Sequence, residues 1–151
     1  MYEINPKDKI ISRQIFNSFK KEKKEEFVNN IIISVDKILL LKRCIRSSHP
    51  SCWCTAGGHR EEGETLLQTC ARETYEETGL KPKVDYVLLG NPYRLELPDC
   101  ILYYFVSNLI NDKATIVLDE DEHDNYVMAD KLQFNGMNLI LDLKNHLNQI
   151  I

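Results

Sequence analysis

The chain is expected to adopt an α/β fold in which a mixed β-sheet lies between helices, and three observations carry that expectation. Ile31-Ile32-Ile33 and Leu39-Leu40-Leu41 are nearly continuous aliphatic runs, as in central strands buried on both faces. Cys100 to Leu109, CILYYFVSNL, is a third strand with an aromatic centre at Tyr103, Tyr104 and Phe105. Helical periodicity then separates and follows these strands, first between Gly57 and Leu80 and again from Asn138 to Leu147. A length of 151 residues suits one domain with a proper core and is too short for two ordinary ones.

In chain order, residues 1–26 read as an N-terminal extension and 27–151 as the single domain. Ile10 to Phe19 could form a short helix or an edge element. The charged run Lys20 to Glu26 reads as a solvated turn or helix end, because acids interrupt it too often for a basic binding arm. MYEINPKDK lacks the apolar stretch of a signal peptide, and no apolar run is long enough to span a membrane as a helix, so a cytoplasmic location without membrane partners is expected. Phe27 to Val35 and Ile38 to Cys44 form a hairpin about a turn at Asp36-Lys37. Arg43 and Arg46 fall where the chain leaves it, followed by a loop containing His49. Trp53 is expected to pack beside the glycines that follow. Five cysteines, an odd number, point to buried reduced thiols, and Cys52-x-Cys54 with His49 is too sparse for zinc.

The segment from Gly57 to Leu80, GGHREEGETLLQTCARETYEETGL, organises the rest. Glu73, Glu76 and Glu77 stand at relative positions 0, 3 and 4, so an α-helix sets their carboxylates on one edge. Such crowding calls for a cation, and an all-oxygen set suits Mg²⁺ or Mn²⁺. Leu66, Leu67, Cys70, Ala71 and Thr78, with Thr74 among them, form the arc that faces a sheet. Thr65 is the N-cap, with Glu62 or Glu64 as alternatives a turn away. Gly79 ends the helix in the left-handed conformation and lets Leu80 fold back. Gly57-Gly58 permits a backbone bend close to a ligand.

Beyond the helix, Lys81-Pro82-Lys83 is a turn and Val84 to Leu89 a strand. Asn91-Pro92-Tyr93 breaks the pattern, and Ala114 to Leu118 is a shorter strand. The acidic run Asp119 to Asp124 reads either as a solvated turn or as part of a site. The terminal helix, Asn138 to Leu147, carries a stripe of Leu139, Ile140, Leu143 and Leu147. Nineteen basic against twenty-three acidic residues give a net charge of −4, which argues against duplex nucleic acid as a partner. A nucleotide remains open, since metal ions supply positive charge locally.

The spacing from Gly58 to Glu64 and on to Arg72-Glu73-Thr74-Tyr75-Glu76-Glu77-Thr78-Gly79-Leu80 resembles the signature of the Nudix hydrolases, which cleave nucleoside diphosphates linked to another moiety. Every charged and glycine position of the signature is present. Thr74 departs from it, where the family usually has an aliphatic residue, and Ala56 stands where many members have proline. The resemblance implies an α/β/α sandwich and Mg²⁺ or Mn²⁺ held by Glu73, Glu76, Glu77 and the Gly57 carbonyl. A further glutamate outside the signature, Glu122 before Glu120, is implied as metal ligand or base. Arg72 would brace a signature glutamate and Glu64 steady the loop. Arg43 would face substrate phosphate. Core packing is the ordinary reading of Tyr103, Tyr104 and Phe105, and stacking on a base stays open for one of them or for Tyr93 in the preceding loop.

The implied substrate is a small nucleotide, a nucleoside triphosphate by preference. A dinucleoside polyphosphate or capped RNA is the alternative enzyme reading, and a catalytically silent nucleotide-binding module the alternative of another class. A homodimer through peripheral strands or the extension is compatible with all of them. If Thr74 packs inward, valine there is expected to preserve activity and raise stability modestly.

Overall fold

The structure, a computed structural model, describes residues 24–140 and 143–150. Ile10 to Phe19 and most of the charged run after it lie outside the described residues. Glu25 and Glu26, the end of that run, open the first strand and are not a turn. The described elements are β1 (Glu25–Ser34), β2 (Lys37–Arg43), β3 (Trp53–Cys54), β4 (Ala56–His59), α1 (Leu66–Thr78), β5 (Tyr86–Leu88), β6 (Tyr93–Glu96), β7 (Cys100–Leu109), β8 (His123–Ala129), α2 (Lys131–Asn135) and α3 (Leu143–Ile150).

β1 and β7 run parallel at the centre, in register from Glu25↔Cys100 to Ile33↔Asn108. The other pairings are antiparallel, which makes the sheet mixed as the sequence predicts. Alternation along β1 explains why its aliphatic run is buried on both sides. Ile31 joins a cluster with Ile38, Leu40, Leu102, Phe134, Leu143 and Leu147, under α2 and α3. Ile32 and Val28 face the other way, toward clusters closed by Leu80 after α1 and Cys70 on it. Helices thus cover both faces, and the α/β/α sandwich is realised. Each fully buried aliphatic side chain contributes about 1.5–3 kcal/mol relative to exposure, so β1 is fixed in register by several such terms.

One irregularity in pairing shapes the molecule. β1 meets β2 only at Ile33 and Ser34, and between Phe27 and Asn30 its partner is β4. β2 in turn pairs with β3 at Leu41 and Lys42. The hairpin therefore opens after one turn, and the chain that returns through β3 and β4 fills the split.

Several elements differ from expectation. Tyr93 to Glu96 is a strand, turning through Pro98-Asp99 into β7, where the sequence suggests only a break. Ala114 to Leu118 is not a strand: Ala114, Ile116 and Leu118 pack on the core in alternation, but the segment joins no strand ladder, with Ala114 N–H donating to Asn111 O at 3.2 Å and Val117 N–H to Thr78 O at 2.8 Å. β8 was hidden by its polar start, His-Asp-Asn. The terminal helix is described from Leu143 to Ile150. Asn138 to Ile140 runs extended instead, because Trp53 N–H donates to Asn138 O and Ile140 N–H to Trp53 O, both at 2.9 Å. Trp53 itself has the structural role expected of it, but packs against the first cluster and not beside the glycines.

Within α1 the caps are as expected: Thr65 forms a reciprocal capping box with Gln68, and Gly79 has φ 76°. The buried arc is Thr69, Cys70, Thr74, Glu77 and Thr78, whereas Leu67 is 54% exposed. Leu67 shares the direction of Thr74 but lies in the first turn, ahead of where burial begins.

Thr74 has a structural reason to be threonine. Its hydroxyl accepts from Asn30 Nδ2 at 3.1 Å, and Ser107 Oγ donates to Asn30 Oδ1. All three residues are at most 1% exposed. Valine there would leave a buried amide donor unpaired, which reverses the simple packing expectation. Thr74→Val should lower stability by about 1–3 kcal/mol in urea unfolding; a variant as stable as the parent would show that the bond contributes nothing.

Candidate active site

α1 packs across β4 and β1, and two glycines set how closely. Gly57 and Gly58 lie in β4 as ordinary strand residues, so they do not supply the bend that the sequence suggests. Their service is steric. A Cβ on Gly58 would stand 2.4–2.6 Å from the Glu73 carboxylate, and one on Gly57 would stand 2.4 Å from Val28 O. With no Cβ in the way, the helix edge rests on the strand backbone, and Gly57 N–H donates to Glu77 Oε2 at 2.9 Å.

Arg72 holds the neighbouring acids. Its Nε and Nη2 grip Glu64 at 2.8 and 2.9 Å, Nη1 reaches Glu73 at 2.9 Å and Glu76 at 3.3 Å, and Nη2 also donates to His59 O at 3.1 Å. The guanidinium draws the Glu64 carboxyl down to about 2. Glu64 Oε1 further accepts from Glu61 N–H and Thr69 Oγ1, which stiffens the loop before the helix.

Glu77 is in a different state. It is 6% exposed, and burial pushes its carboxyl up to about 8, with Glu73 and Glu122 adding like charge that the Gly57 N–H and Arg43 only partly offset. Burial raises Glu73 as well, against the pull of Arg72.

The facing wall comes from the loops. Arg43, at the end of β2, donates through Nε to Ser48 O and through Nη2 to Ser48 Oγ at 3.0 Å, and that Nη2 lies 3.9 Å from Glu122 Oε2. Glu122 is tied into the sheet by Cys44 N–H, which donates to its carbonyl at 2.9 Å. His123, next in sequence, is fully buried with Nε2 3.3 Å from Cys54 Sγ. Burial drives this imidazole down to about 4 and the Cys54 thiol up to about 12. A neutral thiol beside a neutral imidazole makes Cys54 a poor nucleophile.

These walls enclose a cavity of about 510 Å³. Of the residues singled out from sequence, Arg43, Gly57, Glu73, Glu76, Glu77 and Glu122 line it together. Arg72 and Glu64 stand behind the carboxylates and do not line it. Tyr93 is 54% exposed on β6 and also lies off the cavity. Asn29, Cys54, His59 and Asp119 line it without having been singled out as site residues. For Asn29 the available signal was a polar residue inside an otherwise apolar strand.

The donor set is carboxylate and carbonyl oxygen, which fits Mg²⁺ or Mn²⁺ and not a thiophilic ion. A carboxylate raised by burial and, beyond that, by like-charged neighbours is also where a cation would be most stabilised. Among the described residues no three His, Cys, Asp or Glu side chains converge on one point. The Arg72 guanidinium holds Glu73 and Glu76, whereas Glu77 is bound to Gly57 N–H.

The raised Glu77 carboxyl has a measurable consequence. Between the ordinary carboxylate range and about pH 8 the folded chain holds a proton that the unfolded chain has released, so stability falls as pH rises through that window. In chelator, Glu77→Gln should therefore gain in Tm over the parent as pH is raised from 5 to 8.5, on the order of a few degrees. A pH-independent difference would mean that Glu77 ionises normally.

A NUDIX domain model matches residues 27–143. The chain is 33% identical over 119 residues to an ADP-ribose pyrophosphatase of Methanocaldococcus jannaschii, covering 76% of this chain and 70% of that protein. It is 41% identical over 63 residues to an m7GpppN-mRNA hydrolase of Xenopus laevis, 40% of this chain but 21% of that longer protein. In fold it is similar to the Ap4A hydrolase of C. elegans in a binary complex, with a TM-score of 0.69 at 21% identity, over 82% of this chain and 94% of that one. With the family model spanning β1 to the start of α3 and the acidic edge of α1 in place, the chain belongs to the Nudix family and is a Nudix hydrolase.

Proposed function

We propose that this hydrolase is a divalent-metal-dependent pyrophosphohydrolase that cleaves a nucleoside diphosphate linked to a second group, or a nucleoside triphosphate, by attack of water on phosphorus. The observation that carries the reading is the buried Glu77 carboxylate, held by Gly57 N–H beside Glu73 and Glu76 on the wall of the cavity. Glu73, Glu76, Glu77, Glu122 and the Gly57 carbonyl are the groups that would hold Mg²⁺ or Mn²⁺. When bound, such an ion withdraws charge from phosphate oxygens and acidifies water.

The chain's own groups divide the remaining work. Arg43, fixed on Ser48, presents its guanidinium to a phosphate entering between the loops. Glu122, with 48% of its side chain exposed, accepts the proton of the attacking water at a carboxylate oxygen. Arg72 and Glu64 position the helix carboxylates without touching substrate. Cys54 takes no covalent part. Tyr93 is left without a role at this cavity.

The relative matched over most of its length hydrolyses ADP-ribose by its name, which supports a nucleoside diphosphate linked to a second group. A cavity of about 510 Å³ supports one nucleoside rather than two within the walls. The domain is taken as 27–151, with 1–26 as an extension. A cytoplasmic setting accords with a nucleotide substrate and with five free cysteines.

The test is product-resolved hydrolysis of ADP-ribose, nucleoside triphosphates, dinucleoside polyphosphates, coenzyme A and capped RNA, with Mg²⁺ and Mn²⁺ separately. One preferred substrate should emerge, and Glu77→Gln should lower its kcat by about 10²–10⁴-fold. The glutamine oxygen still accepts from Gly57 N–H, so the fold should persist. Turnover by folded Glu77→Gln equal to the parent would overturn the assignment, as would equal turnover in chelator.

A further inference from the structure

β1 and β7 contribute Phe27, Asn29, Cys100, Leu102 and Tyr104 to the cavity, and none of these is charged. Every charged side chain on its walls, from Arg43 to Glu122, comes instead from β2, α1 or the loop before β8. The cavity thus has an acidic side suited to a metal-bound diphosphate and an uncharged side of flat and aliphatic surface.

Asn29 carries the single side-chain amide on these walls. It pairs across the sheet with Gly57 on one hand and with Tyr104 on the other, so it stands where the two sides meet. A Cβ on Gly57 would lie 2.6 Å from Asn29 Oδ1, and the glycine therefore makes the room in which the amide rests. The side chain is half-buried, and its amide has no hydrogen-bond partner among the described residues. Asn30, the next residue, faces the other way, and both its amide nitrogen and its amide oxygen have a partner, in Thr74 and Ser107. Withdrawing an amide from water without a partner is costly, and a ligand that completes it recovers that cost.

A side-chain amide sets a donor beside an acceptor, which matches the edge of a nucleobase carrying a neighbouring donor and acceptor. We propose that Asn29 is a specificity-determining residue: the uncharged wall receives the nucleobase of the substrate against Phe27 and Leu102, and the Asn29 amide hydrogen-bonds to its edge. This rests on the pyrophosphohydrolase reading for the placement of the diphosphate. It commits the site to nucleotides over diphosphates that lack a base.

The probes are the α,β-methylene diphosphates of adenosine, guanosine, cytidine and uridine, with methylenediphosphonate as the base-free control, titrated calorimetrically into the full chain with Mg²⁺. The parent should bind at least one nucleoside probe more tightly than the control. Asn29→Leu should weaken that probe by about 5- to 150-fold while leaving the control unmoved. Asn29→Asp, which loses the donor, should change the order of preference among the four bases. With the cleavable form of the preferred nucleotide, the loss in Asn29→Leu should fall mainly on KM.

Nucleoside probes bound no better than the control, or bound equally by parent and Asn29→Leu, would overturn the proposal. Thermal melting checks that the variant folds, and Asn29→Ser reads the same loss with a smaller change if leucine does not. Turnover with KM unmoved in Asn29→Leu would refute this inference and leave the pyrophosphohydrolase standing. Base-selective binding through Asn29 without turnover of any nucleotide would do the reverse.

Discussion

Arg72 shares a helix edge with acids that would repel one another, and the way its guanidinium is divided among them governs the site. Like charges three and four apart destabilise a helix by a few tenths of a kcal/mol at the surface, and by more as they are withdrawn from water. The planar fork takes Glu64 bidentately, which fixes its plane, and the donors left over reach Glu73, Glu76 and the carbonyl of His59. A lysine ammonium has no such fork and could not fix that orientation. The loop before α1, the helix itself and the end of β4 are thereby locked as one unit. The two glycines complete the lock by letting strand backbone and helix side chains touch.

What Arg72 does not reach is equally informative. Glu77 turns away into the sheet, and among the described residues the only hydrogen bond its carboxylate receives comes from a backbone amide. The protein therefore compensates two acids of the edge with its own cation and leaves the third without one, and the Glu77 carboxyl rises chiefly because it is buried, with the like charges of Glu73 and Glu122 adding to that. An exchange of partners by Glu73 and Glu76, from Arg72 to an entering ion, would need only side-chain rotation, because Glu64 and His59 O keep the guanidinium in place. The buried neutral Cys54–His123 pair beneath the loop adds no competing charge.

The sequence made the acidic edge of α1, its caps and the central strands legible because each depends on a local pattern. Glu73, Glu76 and Glu77 follow from helical spacing, Thr65 and Gly79 from capping, and Ile31 to Ile33 from an apolar run. The misreadings arose where partners distant in sequence decide. Ala114 to Leu118 has the alternation of a strand but no neighbouring strand to pair with. β6 and β8 are polar or short segments that become strands only because β7 and β2 offer free edges. The capping pattern Asp130-x-x-Gln133 did mark the start of α2, yet five residues give too little period to weigh. Tyr93 was singled out as an aromatic in a loop, whereas its strand places it on the outer edge.

Two adjacent asparagines in the central strand show how much of a polar residue's meaning depends on its face. Strand geometry sends Asn29 and Asn30 to opposite sides of the same sheet. Asn30 is sealed between helix and sheet, where an amide is tolerated only with its partners supplied, and a threonine in α1 and a serine in β7 supply them. The departure of Thr74 from the aliphatic residue usual in the family is the helix's share of that requirement. Asn29 lies one residue away, on the cavity side, and the fold offers it a glycine in place of a partner. A structure that satisfies one amide through residues 44 and 77 positions distant, while clearing space around its neighbour, does not treat the two as equivalent sources of polarity. The first amide fixes the register of helix on sheet; the second is left for whatever enters the cavity.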